Sequence, residues 1–128
     1  ARRMRDETGC AGIMIARGSH GDPWLFSQAR AALDGDPVPS DPSVEERFEI
    51  CLDHAKNAIA FERNPERAII DFRKHLGWYT KGLPDGRLLR TELFQANKLE
   101  DVEVLLEGYL TEHRAEAMAT SGGPQPRI

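Results

Sequence analysis

Apolar residues recur at helical spacing through most of the chain beyond Ser43. Val44, Phe48, Cys51, Ala55 and Ile59 predict a helix from there to about Glu62. Ile69, Phe72, Leu76 and Tyr79 predict a second helix, ended by Gly82-Leu83-Pro84. Leu88, Leu89 and Leu93 give a shorter third, over Arg87 to about Gln95. Leu99, Val102, Leu105, Leu106, Tyr109, Leu110 and His113 mark a fourth that runs to about Met118. The starts are signalled locally. Ser43 and Glu46 have capping-box spacing, with Asp41-Pro42 as a rival start, and Asn64-Pro65 offers a cap followed by a first-turn proline. Four amphipathic helices with short connections predict a small antiparallel bundle.

The first third of the chain is patterned differently. Gly12–Ala16 is a short apolar run bounded by glycine, which reads as a strand buried on both faces. A loop with Arg17 and two glycines follows. Behind Pro23, a helix is carried by Trp24, Leu25, Ala29, Ala32 and Leu33 and stopped by Gly35. With the charged helix end at residues 1–8 and its stop at Gly9, the order is that of an α/β unit. A buried strand needs neighbours to pair its backbone, and no second convincing strand is found in the sequence. The expectation is therefore the tail end of a larger protein, begun at a fragment boundary. If the strand folds here, it is expected to pack on the helices or on another copy. Residues 35–42 hold three prolines and no periodicity, which places a linker and a domain boundary there. The units expected are 1–36, 37–118 and a disordered tail over 119–128.

Charge changes this picture locally. The 128-residue chain has a net charge of −4, which argues against non-specific nucleic-acid affinity as a whole. Yet Arg63–Arg90 carries seven Lys or Arg against three acids, and Thr91–Glu116 carries two against seven. On the second helix, Arg67, Lys74, Trp78 and Lys81 fall within about 40° of one line, opposite the apolar stripe. Cations neutralise phosphates and an aromatic can stack on an unpaired base, so this face suits folded RNA. It equally suits a solvated face on which Trp78 meets a neighbouring unit. The Arg17–Gly21 loop has two readings as well, a phosphate cradle or ordinary turn punctuation.

Little else suggests chemistry. Cys10 and Cys51 lack metal or redox spacing and read as thiols of a reducing compartment. The four histidines share no metal-ligand spacing, so no metal is expected. No Ser-His-Asp, Cys-His or paired-carboxylate arrangement is visible. No run approaches the ~20 apolar residues of a membrane span, and no signal peptide opens the chain.

Two stretches nevertheless resemble a known family. G-x-M-I-x-R-G-x-x-G-x-P-W-x-F, from Gly12 to Phe26, is similar to the last barrel strand and loop of the tRNA-dihydrouridine synthases. Phe-Arg-Lys-His-Leu-Gly-Trp-Tyr-Thr-Lys-Gly, from Phe72 to Gly82, looks like their C-terminal helical domain. The resemblance covers about Gly9 to Tyr109. It implies a mainly α chain, a four-helix bundle preceded by the last βα unit of an incomplete TIM (β/α)8 barrel. It also implies FMN, with its phosphate at Ala16, Arg17 and Gly18, and NADPH as the reductant. The substrate implied is tRNA, reduced at the C5–C6 double bond of uridine in the cytoplasm. Arg67, Arg73, Lys74, Trp78 and Lys81 would face that RNA. The family's proton-donor cysteine belongs to an earlier barrel loop, so neither Cys10 nor Cys51 inherits it and this chain is expected to be inactive alone. Its partner would be the N-terminal barrel. Ala16 departs from the family's usual glycine.

Two alternatives stand beside the resemblance. One is a helical docking module without RNA binding, and Trp78 discriminates: buried near Glu103 or Glu107 for docking, exposed beside the cations for RNA. The other is a different FMN or sugar-phosphate barrel enzyme sharing only the strand-loop motif.

Overall fold

Side chains fix the starts of three of the bundle's four helices. The computed structural model describes residues 1–120, with side chains through residue 115. The Ser43 hydroxyl accepts from Glu46 N at 3.1 Å, and Ser43 N donates to Glu46 Oε2 at 2.8 Å. This reciprocal box opens α3, Val44–Phe61, and decides against the rival start at Asp41. Asn64 Oδ1 accepts from both Glu66 N and Arg67 N, opening α4, Pro65–Tyr79. The third bundle helix, Gly86–Leu93, starts one residue earlier than its apolar pattern indicates, after Asp85 in the left-handed region at φ 52°. The last, Leu99–Thr120, carries in its first turn Asp101, whose carboxylate accepts from Asn97 N and Lys98 N. It extends beyond the predicted end near Met118, so residues 119 and 120 of the expected tail are helical. The rest of that tail, 121–128, lies outside the described residues.

Two further helices precede the bundle: α1, Arg2–Thr8, and α2, Trp24–Asp34. The two bundle helices just described are thus α5 and α6. In the bundle, α3 packs on α4 and α6, and α5 packs on the same two, closing a ring of contacts. Phe48, Cys51, Ala55, Ile69, Phe72, Leu76, Leu93, Val102 and Leu106 fill its centre. Cys51 is 1% exposed, and burial pushes its thiol pKa up to about 12. Outside the ring, α1 lies on α2, where Arg5 Nη1 donates to Leu33 O at 2.7 Å in the final turn.

The mainly α expectation holds, and the predicted strand does not form. Among the described residues Gly12–Ala16 has no regular secondary structure and no ladder. Half-buried Ile13 and Ile15 alternate with exposed Gly12, Met14 and Ala16, so one sidedness of a strand survives. Its other face is open: Met14 is 88% exposed. Burial on both faces, as the apolar run suggests, is not found, and a strand requires partners for its backbone groups as well.

Candidate phosphate and RNA site

The glycine loop is seated on the last turn of α4. A 3-10 turn over Arg17–Ser19 tightens it, with Ser19 N and Ser19 Oγ both donating to Ala16 O at 3.1 and 2.8 Å. Gly21 follows at φ +69°, and a Cβ placed there would lie 2.5 Å from the Trp78 carbonyl carbon. Only glycine allows that backbone shape and that approach together. His20 stacks on Trp78, ring centroids 4.1 Å apart at 20°. Trp24, at the start of α2, packs against the bundle core. The loop and the bundle therefore share a wall.

The end of α4 is fixed from several directions. Thr80 is fully buried and donates through Oγ1 to Leu76 O at 2.7 Å, while Arg90 Nη1 donates to Thr80 O at 3.0 Å. Arg47, half-buried on α3, donates through Nη1 to Lys81 O at 3.2 Å. Between this end and the loop lies a cleft of about 540 Å³. Arg17, Gly18, Trp24, Arg47, Trp78 and Lys81 line it, together with the carboxylates Asp22 and Asp41. Asp41 already accepts from Gln28 Nε2 at 3.0 Å.

The residues predicted to bind ligands divide accordingly. Arg17 and Gly18 come together with Trp78 and Lys81 in this one cleft, although the sequence suggests two separate surfaces. Ala16 supplies the carbonyl that closes the 3-10 turn. Lys74 is exposed farther along α4, as is Arg67, which pairs with Asp71 at 3.8 Å. An exposed pair of that length contributes little and leaves the charge usable. Arg73 is committed elsewhere: Nε and Nη2 donate to Ala96 O at 3.0 and 2.8 Å, and Nη2 to Asn97 Oδ1 at 2.9 Å. It clips α4 to the α5–α6 turn. Arg47 is the lining residue that sequence reasoning missed, because nothing local marks an arginine on a polar helix face.

A second cleft, of about 450 Å³, lies on the other side of His20 and is walled in part by His54, His75 and Tyr79. His54 Nδ1 and the Tyr79 hydroxyl share a hydrogen bond of 3.2 Å. The His54 and His75 rings meet edge to face at 4.7 Å, and His75 meets Trp78 at 5.1 Å and 84°. Among the described residues no group of His, Cys, Asp or Glu is arranged to hold a metal ion. No described helix is long and apolar enough to cross a membrane.

The family model for dihydrouridine synthase (Dus) matches residues 1–116, spanning the loop, the cleft and the whole ring of helices. The chain belongs to the dihydrouridine synthase family. Among curated relatives of this chain, a "Probable tRNA-dihydrouridine synthase" of Mycobacterium leprae is 39% identical over 106 residues. The match covers 83% of this chain and 27% of that protein. A Rhodobacter capsulatus protein of the same name is 33% identical over 115 residues, 90% of this chain and 35% of its own length. The "tRNA-dihydrouridine synthase B" of Pasteurella multocida is 29% identical over 109 residues, 85% and 32% respectively. The chain thus spans about a third or less of the length of these relatives. No solved structure matches it significantly.

The imidazole cluster should make this fold acid-sensitive. Burial lowers the pKa of His54, and burial lowers that of His75 from 6.5 to about 4, helped by the neighbouring positive charges of His54, Lys74 and His20. The unfolded chain takes up a proton on His75 near pH 6.5, whereas the folded chain resists until about 4. Stability from the neutral ring is therefore complete above the first value and declines as pH falls towards the second. Urea midpoints at pH 7 and pH 5 should show the loss, and His75→Gln should reduce it. Equal pH dependence in both proteins would refute the assignment.

Proposed function

We propose that this chain is the C-terminal part of an FMN-dependent tRNA-dihydrouridine synthase, a cytoplasmic enzyme that reduces the C5–C6 double bond of uridine in tRNA with NADPH. The observation that carries the reading is the meeting of the Arg17–Gly18 loop with Trp78 and Lys81 in one cationic cleft, within a chain of this family. The cleft fits the phosphate end of a flavin mononucleotide: three cations outnumber the two carboxylates of its lining, and Gly18 adds no side chain to it. When bound, FMN would supply hydride chemistry that no side chain here can provide. Arg17 would hold the phosphate with a planar fork, and Ala16 and Gly18 would shape the turn that presents it. The segment Gly12–Ala16, with its open outer face, suits the last strand of a TIM barrel completed by the rest of the enzyme. Residues 1–36 would belong to that barrel and 37–118 to the helical tRNA-binding unit. No group in this chain is assigned as the proton donor.

Arg67, Lys74, Trp78 and Lys81 would position tRNA through its phosphates without reading bases, and Arg73 would keep α4 in place for them. In the intact enzyme, Arg67→Ala combined with Lys74→Ala should weaken tRNA binding. It should also reduce the slope of log affinity against log salt by about 1–2. Both residues lie outside the Arg17 cleft, so flavin content should not change. Unaltered tRNA affinity across the salt series would reject the surface.

A further inference from the structure

We infer that Arg47 and Lys81, from the helical unit, close with Arg17 on one phosphate group, so that the cleft is a clamp built from both units. The inference rests on the reading of the Arg17–Gly18 loop as a phosphate seat and adds residues that the loop alone does not contain. Three cations line this cleft, one on the loop, one on α3 and one just beyond α4. Arg47 is half-buried, and its guanidinium is oriented by the bond from Nη1 to Lys81 O. That bond uses one donor of the fork and leaves the others for a ligand. A planar fork held in advance suits the oxygens of a phosphate, losing less freedom on binding than a free lysine does. Of the two carboxylates in the lining, Asp41 is engaged by Gln28, which reduces its competition for the cations.

A phosphate monoester of a flavin nucleotide and a phosphodiester of RNA share this chemistry. The cleft carries its own reporters, since both tryptophans of the chain, Trp24 and Trp78, line it. The 128-residue chain, isotopically labelled, would be titrated with inorganic phosphate, FMN and a short single-stranded oligouridylate while its two indole N–H resonances are followed. Both resonances should shift. Arg47→Gln keeps a donor for Lys81 O but removes the charge, and should weaken binding by about tenfold. Arg87→Gln, at an exposed position of α5 outside the cleft, should leave binding unchanged. Tighter FMN binding, competed by inorganic phosphate, would assign the clamp to the flavin nucleotide. Tighter oligouridylate binding would assign it to the RNA backbone.

Indole resonances unmoved by all three probes would overturn the clamp. So would full affinity in a folded Arg47→Gln. Should Arg17→Gln alone abolish binding while Arg47→Gln does not, the loop seat stands and only the clamp fails.

Discussion

Gly21→Val is expected to lift the Arg17–Asp22 loop off α4 and to abolish the His20–Trp78 stack. Two costs act at that position. A β-branched residue at φ +69° is strained by about 1–3 kcal/mol, and its Cβ would meet the Trp78 carbonyl carbon and oxygen at 2.5 and 2.7 Å. The chain can escape the clash by letting the loop go, so the stability lost is limited to what the seated loop contributes. The geometric change has no such limit: Trp78 loses its stacked ring and the cleft opens. Gly9→Ala is the internal control. Gly9 has a similar φ of +67° but nothing within 4 Å of the added methyl, so it carries strain without collision. Tryptophan emission should move to longer wavelength for Gly21→Val and stay in place for Gly9→Ala. Identical spectra and urea midpoints for Gly21→Val and the wild type would show that the loop is not seated as described.

Leu76→Ala should give the largest loss of stability in the chain. Leu76 is 0% exposed, enclosed in the core ring, and its carbonyl anchors Thr80. Removing a fully buried leucine costs about 2–5 kcal/mol, the upper end applying where neighbours cannot collapse into the cavity. Phe48, Phe72 and Tyr79 belong to the same buried core, and stiff packed rings limit such collapse. Urea denaturation should show a lower midpoint at unchanged slope. A loss below about 1 kcal/mol would mean that the core is loosely packed, since deletion would then remove few contacts.

What could be read from the sequence was local. Ser43 with Glu46, Asn64 with Pro65 and the glycine stops at Gly9 and Gly35 each act within one turn of backbone, and each appears where its pattern indicates. The apolar stripes likewise identified the buried faces of α3, α4 and α6. Gly12–Ala16 forms no strand in this chain because hydrophobicity reports only a need for burial, whereas a strand also needs a second strand to bond with. The Arg17–Ser19 turn was too short to leave a periodic signal. The cleft was legible only in halves. His20 and Trp78 are far apart in the sequence, and Arg47 joins them through the docking of α3 against α4, a tertiary event with no local signature. Arg73 shows the converse. It looked like one more cation of a binding face, yet its guanidinium serves as a cap for the carbonyl of Ala96.

The buried thiol of Cys51 has a kinetic consequence. At 1% exposure, and with its pKa raised to about 12, it presents neither access nor thiolate to a reagent at neutral pH. Its modification must wait until the helices part. The labelling rate of this one sulfur therefore measures how often the bundle opens, and at high reagent concentration it converges on the opening rate itself. The chain contains its own clock for breathing motions.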